Sequence, residues 1–370
     1  MKRVLVAPLD WGLGHASRCI PLINLLLEKK CTVIIAGSGR SLELLKNEFP
    51  SLKHFVLAGY DPQYPSSGAM VAKMAAQLPR FLSVIRKEHD QIEKIVVDEK
   101  IDVVISDNRF GCWSARAKSV FITHQSNILM PKRFGWLQGW VRKMNHRIMK
   151  KFTVCWIPDL PGEKSLAGML GKTDHRKSKA LSLRHIGILS RFQSFQRSAE
   201  NKKQPSSRYD LLCIFSGPEP QRTLLEKIVV SQLAQLKLRV SIVRGIPASE
   251  KKEDLTVDAD VIDFATSPQL WQLINLSEII LARSGFSTVM DLATVQKKAI
   301  FIPTPGQTEQ EYLAARLMEQ KIAFSVPQKN FNLAAAMKQV IQYQGFAELS
   351  MDHALLHEAI DEVLTDGKIH

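Results

Sequence analysis

Short apolar, β-branched runs alternate with stretches of helical periodicity along the whole chain. In the first half the runs 3–8, 31–36, 53–57, 101–106, 119–123 and 153–157 read as strands. Helices fit at 15–29, 40–48, 68–98 (broken at Pro79) and 136–150. A polar stretch at 196–208 interrupts the pattern and reads as a linker. Strands then resume at 209–215 and near 238–243, 259–263, 278–282, 298–302 and 322–326. Helices follow at 220–236, 268–276, 285–295, 308–320, 332–343 and 346–365. Such alternation belongs to parallel sheets wrapped by helices. It predicts an α/β fold of two Rossmann-like domains, 1–195 and 209–370, with a cleft between them and the last helix packing back on the first domain. Ligands of such sheets bind beyond the carboxyl ends of the strands.

Composition agrees with this picture. The chain has 370 residues, 45% hydrophobic and 23% charged, enough for two ordinary cores. No apolar run approaches the ~18 residues that span a bilayer. The apolar stretch after Met1-Lys2-Arg3 ends at Asp10, too soon for a signal peptide. The five Cys (19, 31, 112, 155, 213) have no paired spacing and read as reduced thiols of a cytoplasmic protein, with no metal site.

A net charge of +14 predicts an anionic partner. No nucleic-acid-binding module accompanies the charge, so nucleic acid is not expected. No Asp or Glu lies between Asp107 and Asp159, a gap that holds Arg142, Lys143, Arg147, Lys150 and Lys151 as well as Trp136 and Trp140. Leu137, Val141, Met144 and Ile148 make a core stripe on that helix, with the two Trp on its shoulder. Segment 132–151 therefore suits peripheral contact with an anionic membrane surface. A solvated basic helix with two half-buried Trp fits the same residues.

Three strand-to-helix turns carry candidate chemistry. The first is Gly12-Leu13-Gly14-His15, after the first strand. Glycines let backbone N–H groups approach an anion, and the helix N-terminus adds positive partial charge. The second runs from Ile279 through Arg283-Ser284-Gly285 into a helix. Ser284 reads as its N-cap, and Ser284, Ser287, Thr288 and Asp291 fall at i, i+3, i+4 and i+7, one polar stripe. From the cap to Asp291 is roughly 10 Å at helical rise. A diphosphate on the first turn then leaves a ribose near that carboxylate. The pattern fits a capped surface helix equally well. The third turn, Pro303-Thr-Pro-Gly-Gln-Thr308, places Glu309 and Gln310 in a first helical turn, where they can meet sugar hydroxyls. Acids are favoured at that position in any case.

Taken together and in order, these residues resemble the GT-B glycosyltransferases of family 28, the pattern of those that complete lipid II in peptidoglycan synthesis. The likeness rests on Gly12-Leu13-Gly14-His15, His124-Gln125-Ser126-Asn127, Arg283-Ser284-Gly285…Thr288…Asp291 and the segment from Pro303 to Ala314. It implies a nucleotide-sugar donor, on the UDP-sugar pattern, that is a substrate and not a cofactor. Gly12, Gly14, Ser216, Gly217, Arg283, Ser284, Gly285, Ser287 and Thr288 would surround the diphosphate, Asp291 the ribose, Glu309 and Gln310 the sugar, and Phe264 the base. His124 and Asn127 would lie on the acceptor side, although a packed core His fits His124 too. The family also implies inversion.

The chain departs from that pattern in three places. Asp10 and Trp11 stand where glycines are expected, Phe215-Ser216-Gly217-Pro218-Glu219 replaces a glycine-rich turn, and His124-Gln125-Ser126 lacks a Glu. Glu219 would repel a phosphate if it pointed inward. The acceptor is accordingly expected to be a hydroxyl compound, lipid-linked or not, other than the muramyl lipid.

Deprotonation of the acceptor needs a base. His15 is the candidate, with Asp107 at the end of a strand holding its Nδ1–H. Asp107 capping its own turn with Asn108 is the plainer alternative. Two other functions remain open. Gly12-Leu-Gly-His-Ala-Ser-Arg18 also resembles the motif of a UDP-sugar hydrolase of this fold, in which His15 would activate water. The missing glycines would also suit an inactive nucleotide-sugar-binding protein.

Overall fold

The computed structural model describes residues 1–63, 76–125, 135–136, 138–171, 182–199, 207–246, 254–346 and 353–365. They form two compact units. One takes the described residues of 1–62, 76–189 and 353–365, and the other Gln63 and those of 190–346.

The first unit is built on seven parallel strands: β1 (Arg3–Pro8), β2 (Thr32–Gly37), β3 (Lys53–Val56), β4 (Val103–Asp107), β5 (Lys118–Ile122), β6 (Val154–Ile157) and β7 (Leu183–His185). Their order is β3-β2-β1-β4-β5-β6-β7. Connections run outward from β1 in one direction and from β4 in the other, so the winding reverses between these two strands. Pro8 pairs with Asp107 in their register, which puts the end of β1 beside the end of β4. Helices α1 (Gly14–Glu28), α2 (Gly39–Glu48), α3 (Leu78–Asp98) and α4 (Gln138–Met149) belong to this unit.

The period of two along the strands decides the packing. Leu5 and Ala7, Ile34 and Ala36, and Val104 share one sheet face and pack on Ile92, Ile95 and Val96 of α3. Each fully buried Leu or Ile contributes about 1.5–3 kcal/mol relative to exposure. Pro79 lies in the first turn of α3, where its missing N–H costs nothing. Residues 64–75 lie outside the described residues.

The second unit has strands β8 (Tyr209–Ile214), β9 (Val240–Val243), β10 (Asp260–Ile262), β11 (Ser277–Ala282), β12 (Lys298–Phe301) and β13 (Phe324–Ser325). They are parallel, in the order β10-β9-β8-β11-β12-β13, and the reversal falls between β8 and β11. Ile214 pairs with Ala282 at the ends of those strands. The helices are α5 (Gln193–Ala199), α6 (Gln221–Leu233), α7 (Ser267–Asn275), α8 (Phe286–Val295), α9 (Thr308–Glu319) and α10 (Leu333–Val340). Leu211, Cys213 and Phe215 meet Leu225, Val229 and Leu233 of α6 and Leu333, Ala336 and Val340 of α10 in one core. Thr266 opens α7 with a reciprocal capping box to Gln269.

The last helix, α11 (His353–Leu364), belongs to the first unit. Asp361 meets Lys29 at 2.5 Å, Glu358 meets Arg184 at 3.2 Å, and Lys118 Nζ donates to the Thr365 carbonyl at 2.6 Å.

Several elements differ from the pattern reading. The change of unit falls at Leu189–Ser190, ahead of the expected 195. Residues 193–199 are helical, and Phe192 and Phe195 lie against Trp271 of α7 at 5.7 and 5.8 Å between ring centres. Only the rest of the expected linker, 200–206, lies outside the described residues. Strand β7 is three half-buried residues, too short to show a period. The expected core stripe of α4 is half-buried at Val141, Met144 and Ile148, while Asn145 and Met149 are the buried positions. Leu137 lies outside the described residues. All five cysteines are buried and free. Among the described residues, no helix is long and apolar enough to cross a membrane.

Candidate functional site

In the first unit, the reversal between β1 and β4 gathers four polar side chains. After Pro8 the chain turns through Gly12, whose φ of +90° only glycine adopts without strain, and α1 begins at Gly14. The turn is tied to the next helix: the Asp10 carboxylate accepts from Ser41 N at 3.1 Å, and Ser41 Oγ donates to the Leu9 carbonyl at 3.0 Å. Gly39 is required there, because a Cβ would stand 2.0 Å from Asp10 Oδ2. Trp11 lies edge-on to Phe81 at 5.8 Å. The two residues that replace expected glycines are thus anchors of the loop.

His15 sits in the first turn of α1, with Nδ1 2.8 Å from Asp107 Oδ1. Arg18, one turn further on, donates through Nε and Nη2 to both oxygens of Asp107. Its Nη1 lies 3.0 Å from His124 Nδ1, and its Nη2 2.9 Å from His15 Nδ1. Cys19 Sγ approaches Asp107 Oδ2 at 3.8 Å. Asp107 is wholly buried, Arg18 nearly so, and the His15 side chain 14% exposed, so His15 is the member of the group most open to solvent. Burial alone would raise the Asp107 carboxyl, but Arg18 and His15 hold it down to about 2. Burial and the Arg18 cation push the His15 imidazole below its ordinary range, against the pull of Asp107. The ring is therefore neutral at physiological pH. Asp107 does not cap its own turn: both its oxygens are taken by α1 residues. His124 is buried and bonded to Arg18. Asn127 lies outside the described residues.

Arg18, which ends the Gly12–Arg18 motif, is the member of this group that was not among the expected site residues. Its i, i+3 spacing from His15 was the available signal, since those positions share a helix face.

In the second unit, the loops after β8, β11 and β12 interlock. Arg283 is buried, and donates to the carbonyls of Ile302 at 3.1 Å, Pro303 at 3.2 Å and Gln221 at 2.7 Å. Burial draws its guanidinium down to about 10. All three of these acceptors are carbonyls, so none of them cancels its charge. Arg283 thus clamps the turn from beneath through Nη1 and Nη2, while its buried Nε has no hydrogen-bond partner among the described residues. The N-cap of α8 is Gly285 and not Ser284, because Ser284 Oγ donates to the Gln310 carbonyl at 2.8 Å. Gln310 in turn holds the 303–307 turn: its Oε1 accepts from Thr304 N at 2.8 Å, and its Nε2 donates to Gln307 Oε1 at 2.6 Å.

Ser287, Thr288 and Glu309 are half-buried, as are Ser216, Gly217 and Phe264 at the ends of β8 and β10. Asp291 departs from the expected stripe. It is buried, with Oδ1 accepting from Ser190 Oγ at 2.7 Å and Oδ2 from Arg191 Nε at 3.1 Å. Burial raises its carboxyl despite Arg191. The ribose contact expected of it is replaced by an internal anchor, since two helical turns carry position 291 from the open end of α8 to where Ser190 and Arg191 cover it. Glu219 turns to Arg222 Nε at 2.6 Å and to Thr223 N at 3.2 Å, so its charge is already paired and does not oppose an anion at the turn. Among the described residues, no three His, Cys, Asp or Glu side chains come together as a metal site would need.

Comparison with known proteins relates the chain to glycosyltransferases. Residues 211–362 match the model of the glycosyltransferase family 28 C-terminal domain. An uncharacterized glycosyltransferase of Methanosarcina mazei is 23% identical over 344 residues, 85% of this chain and 84% of the relative. The UDP-N-acetylglucosamine–N-acetylmuramyl-(pentapeptide) pyrophosphoryl-undecaprenol N-acetylglucosamine transferase of Methylobacterium nodulans is 32% identical over 130 residues, 32% of this chain and 35% of that protein. The spinosyn rhamnosyltransferase SpnG shares the fold with a TM-score of 0.63 at 13% identity, covering 98% of this chain and 96% of its own. SpnG has also been solved in complex with thymidine diphosphate. Residues 211–362 thus belong to the glycosyltransferase family 28 C-terminal domain, and the whole chain shares its fold with glycosyltransferases such as SpnG.

Proposed function

We propose that this transferase moves a sugar from a nucleoside diphosphate sugar, on the UDP-sugar pattern, to a hydroxyl acceptor with inversion. The observation that carries this reading is the buried Asp107 carboxylate 2.8 Å from His15 Nδ1. An ionised carboxylate only accepts, so His15 carries its proton on Nδ1 and presents Nε2 as a base. The acceptor hydroxyl gives its proton to Nε2, its oxygen bonds to the anomeric carbon, and the bond from that carbon to the diphosphate breaks. The nucleoside diphosphate departs with the electron pair. One displacement inverts the anomeric centre.

The donor rests on the second unit. The N-terminus of α8 at Gly285 with Ser287 and Thr288 suits the diphosphate, and the uncancelled Arg283 charge lies beneath it. Ser216 and Gly217 would meet the same diphosphate, Phe264 the base, and Glu309 the sugar. The thymidine diphosphate bound by SpnG and the UDP-sugar named in the Methylobacterium enzyme support this donor class. The latter's lipid-linked acceptor, together with Trp136 and Trp140 at 79% and 58% exposed beside Lys143 and Arg147, supports an acceptor met at an anionic membrane surface.

Calorimetry with UDP-, GDP- and dTDP-sugars, followed by product analysis with and without an alcohol acceptor, tests the reading. Saturable binding of one nucleotide class and acceptor-dependent release of its diphosphate are expected. Free sugar released at the full rate without acceptor would assign water to His15, and a hydrolase. Binding without turnover would leave a sugar-nucleotide-binding protein.

A further inference from the structure

His15 and Arg18 leave the same face of α1, one turn apart, and both reach the end of β4. A guanidinium has five N–H donors and no acceptor. Nε and Nη2 of Arg18 are committed to the two oxygens of Asp107. Nη1 meets His124 Nδ1 at 3.0 Å. Because Arg18 can only donate, His124 Nδ1 accepts, and the neutral ring carries its proton on Nε2. His15 is in the opposite situation. Its Nδ1 faces Asp107 Oδ1 at 2.8 Å, and a bare Nδ1 would set two lone pairs against each other. The proton is on Nδ1, and Nε2 is the acceptor. Arg18 Nη2 also lies 2.9 Å from that Nδ1, a contact that competes with Asp107 for it, and the wholly buried ionised carboxylate decides in favour of the proton on Nδ1.

We infer that Arg18 is a positioning residue that sets His15 and His124 in opposite neutral tautomers, the first directly through Asp107 and the second by its own Nη1–H. One imidazole is left with an acceptor at Nε2 and the other with a donor. The Gln125 side-chain amide lies 3.4 Å from His124 Nε2, and the assignment requires that amide to turn its oxygen toward the Nε2–H. The catalytic use of the assignment rests on the base role proposed above for His15.

The charged and titratable groups around His15 are Arg18 and Cys19 from α1, Asp107 from β4 and His124 after β5. Arg18 disfavours a second positive charge there, and Asp107 favours it. Removing the guanidinium therefore lets His15 protonate at higher pH.

The test uses the full chain labelled with ¹⁵N-histidine and long-range ¹H–¹⁵N correlation, with His15 and His124 assigned from His15→Gln and His124→Gln. Wild type is expected to show His15 protonated at Nδ1 and His124 at Nε2. In Arg18→Met the His15 titration should move up by about one to three units, and His124 should lose its fixed tautomer. Arg18→Lys retains the charge without the fork, and serves if the Met variant fails to fold. It should keep the His15 titration near the wild-type value while His124 loses its tautomer. The acid limb of kcat/KM should follow the His15 titration in each variant. His15 protonated at Nε2 in wild type, or both tautomers unchanged in Arg18→Lys, would overturn the inference. Tautomers as assigned, with full turnover in His15→Gln, would uphold Arg18 and refute only the base role.

Discussion

Arg191 donates to Asp291 across 3.1 Å, and the pair joins the first residues of the second unit to the middle of α8. The carboxylate is 8% exposed and its partner 15%. This contact makes Asp291 an anchor for the point where the chain enters its second unit.

Arg191→Met should therefore lower stability by about 1.5–3 kcal/mol, the range for a hydrogen bond to a charged group. Asp291→Asn should also destabilise, and should change nucleotide affinity less than about threefold, well under the ~1.4 kcal/mol that a tenfold change represents. Urea unfolding and calorimetry read the two effects. A hundredfold loss of affinity at unchanged stability would return Asp291 to the ribose.

A second buried pair should be purely structural. Arg109 Nε meets Glu88 Oε1 with both side chains at 0% exposure, and the same guanidinium holds the carbonyls of Pro8 at 3.2 Å and Ala58 at 2.7 Å. Glu88 Oε2 accepts from Tyr60 at 2.9 Å and from Gly111 N at 2.9 Å. Glu88→Gln leaves a buried cation uncompensated and should cost about 3–5 kcal/mol. Amide exchange across β1 and β4 should accelerate accordingly, with the chemistry of any surviving folded enzyme unaltered.

Acid should weaken the first unit in two separate windows. The His15 ring titrates below its ordinary 6.5 in the fold, so between that value and its folded one the unfolded chain binds more protons. Stability is complete above 6.5 and falls as pH drops through that window. Asp107, at about 2 against 3.8, acts in the same direction between those values. Asp291 is raised, so its contribution has the opposite sign, with stability falling as pH rises above 3.8. The measurable consequence lies just below pH 6.5, where His15→Gln should remove a slope of up to about 1.4 kcal/mol per pH unit. An unchanged slope in the variant would remove His15 as its source.

Membrane contact makes a separate prediction. Trp136→Ser with Trp140→Ser should reduce recovery on anionic vesicles several-fold, and added salt should reduce it further, since each nearby Lys or Arg is worth ~1 kcal/mol at low screening. Neutral vesicles should recover little of either protein. Equal recovery on neutral and anionic vesicles would end the membrane reading.

The strands and most helices were legible because buried parallel strands are apolar runs and their helices carry a 3.6-residue period. Gly12 and His15 were legible for a related reason: a strand, a glycine turn and a helix start follow one another directly in sequence. Asp107 was named from its place at a strand end, and it lies against His15 because β1 and β4 are neighbours. The fates of Arg283, Ser284, Gln310 and Asp291 were not legible. Each is decided by a partner far along the chain: Gln221 and Pro303 for Arg283, Gln310 for Ser284, Ser190 and Arg191 for Asp291. Periodicity reports which face of a helix is polar, not what covers it. Helix α5 was hidden because Gln193–Ala199 is short and runs straight into the polar 200–206 stretch.

The most direct measurement is steady-state turnover of His15→Ala with the nucleotide sugar that wild type binds, alongside its calorimetric affinity. Loss of a general base should lower kcat by about two to four decades while donor affinity stays within a few-fold. Turnover at the wild-type rate, with the variant folded and donor-bound, would contradict the account.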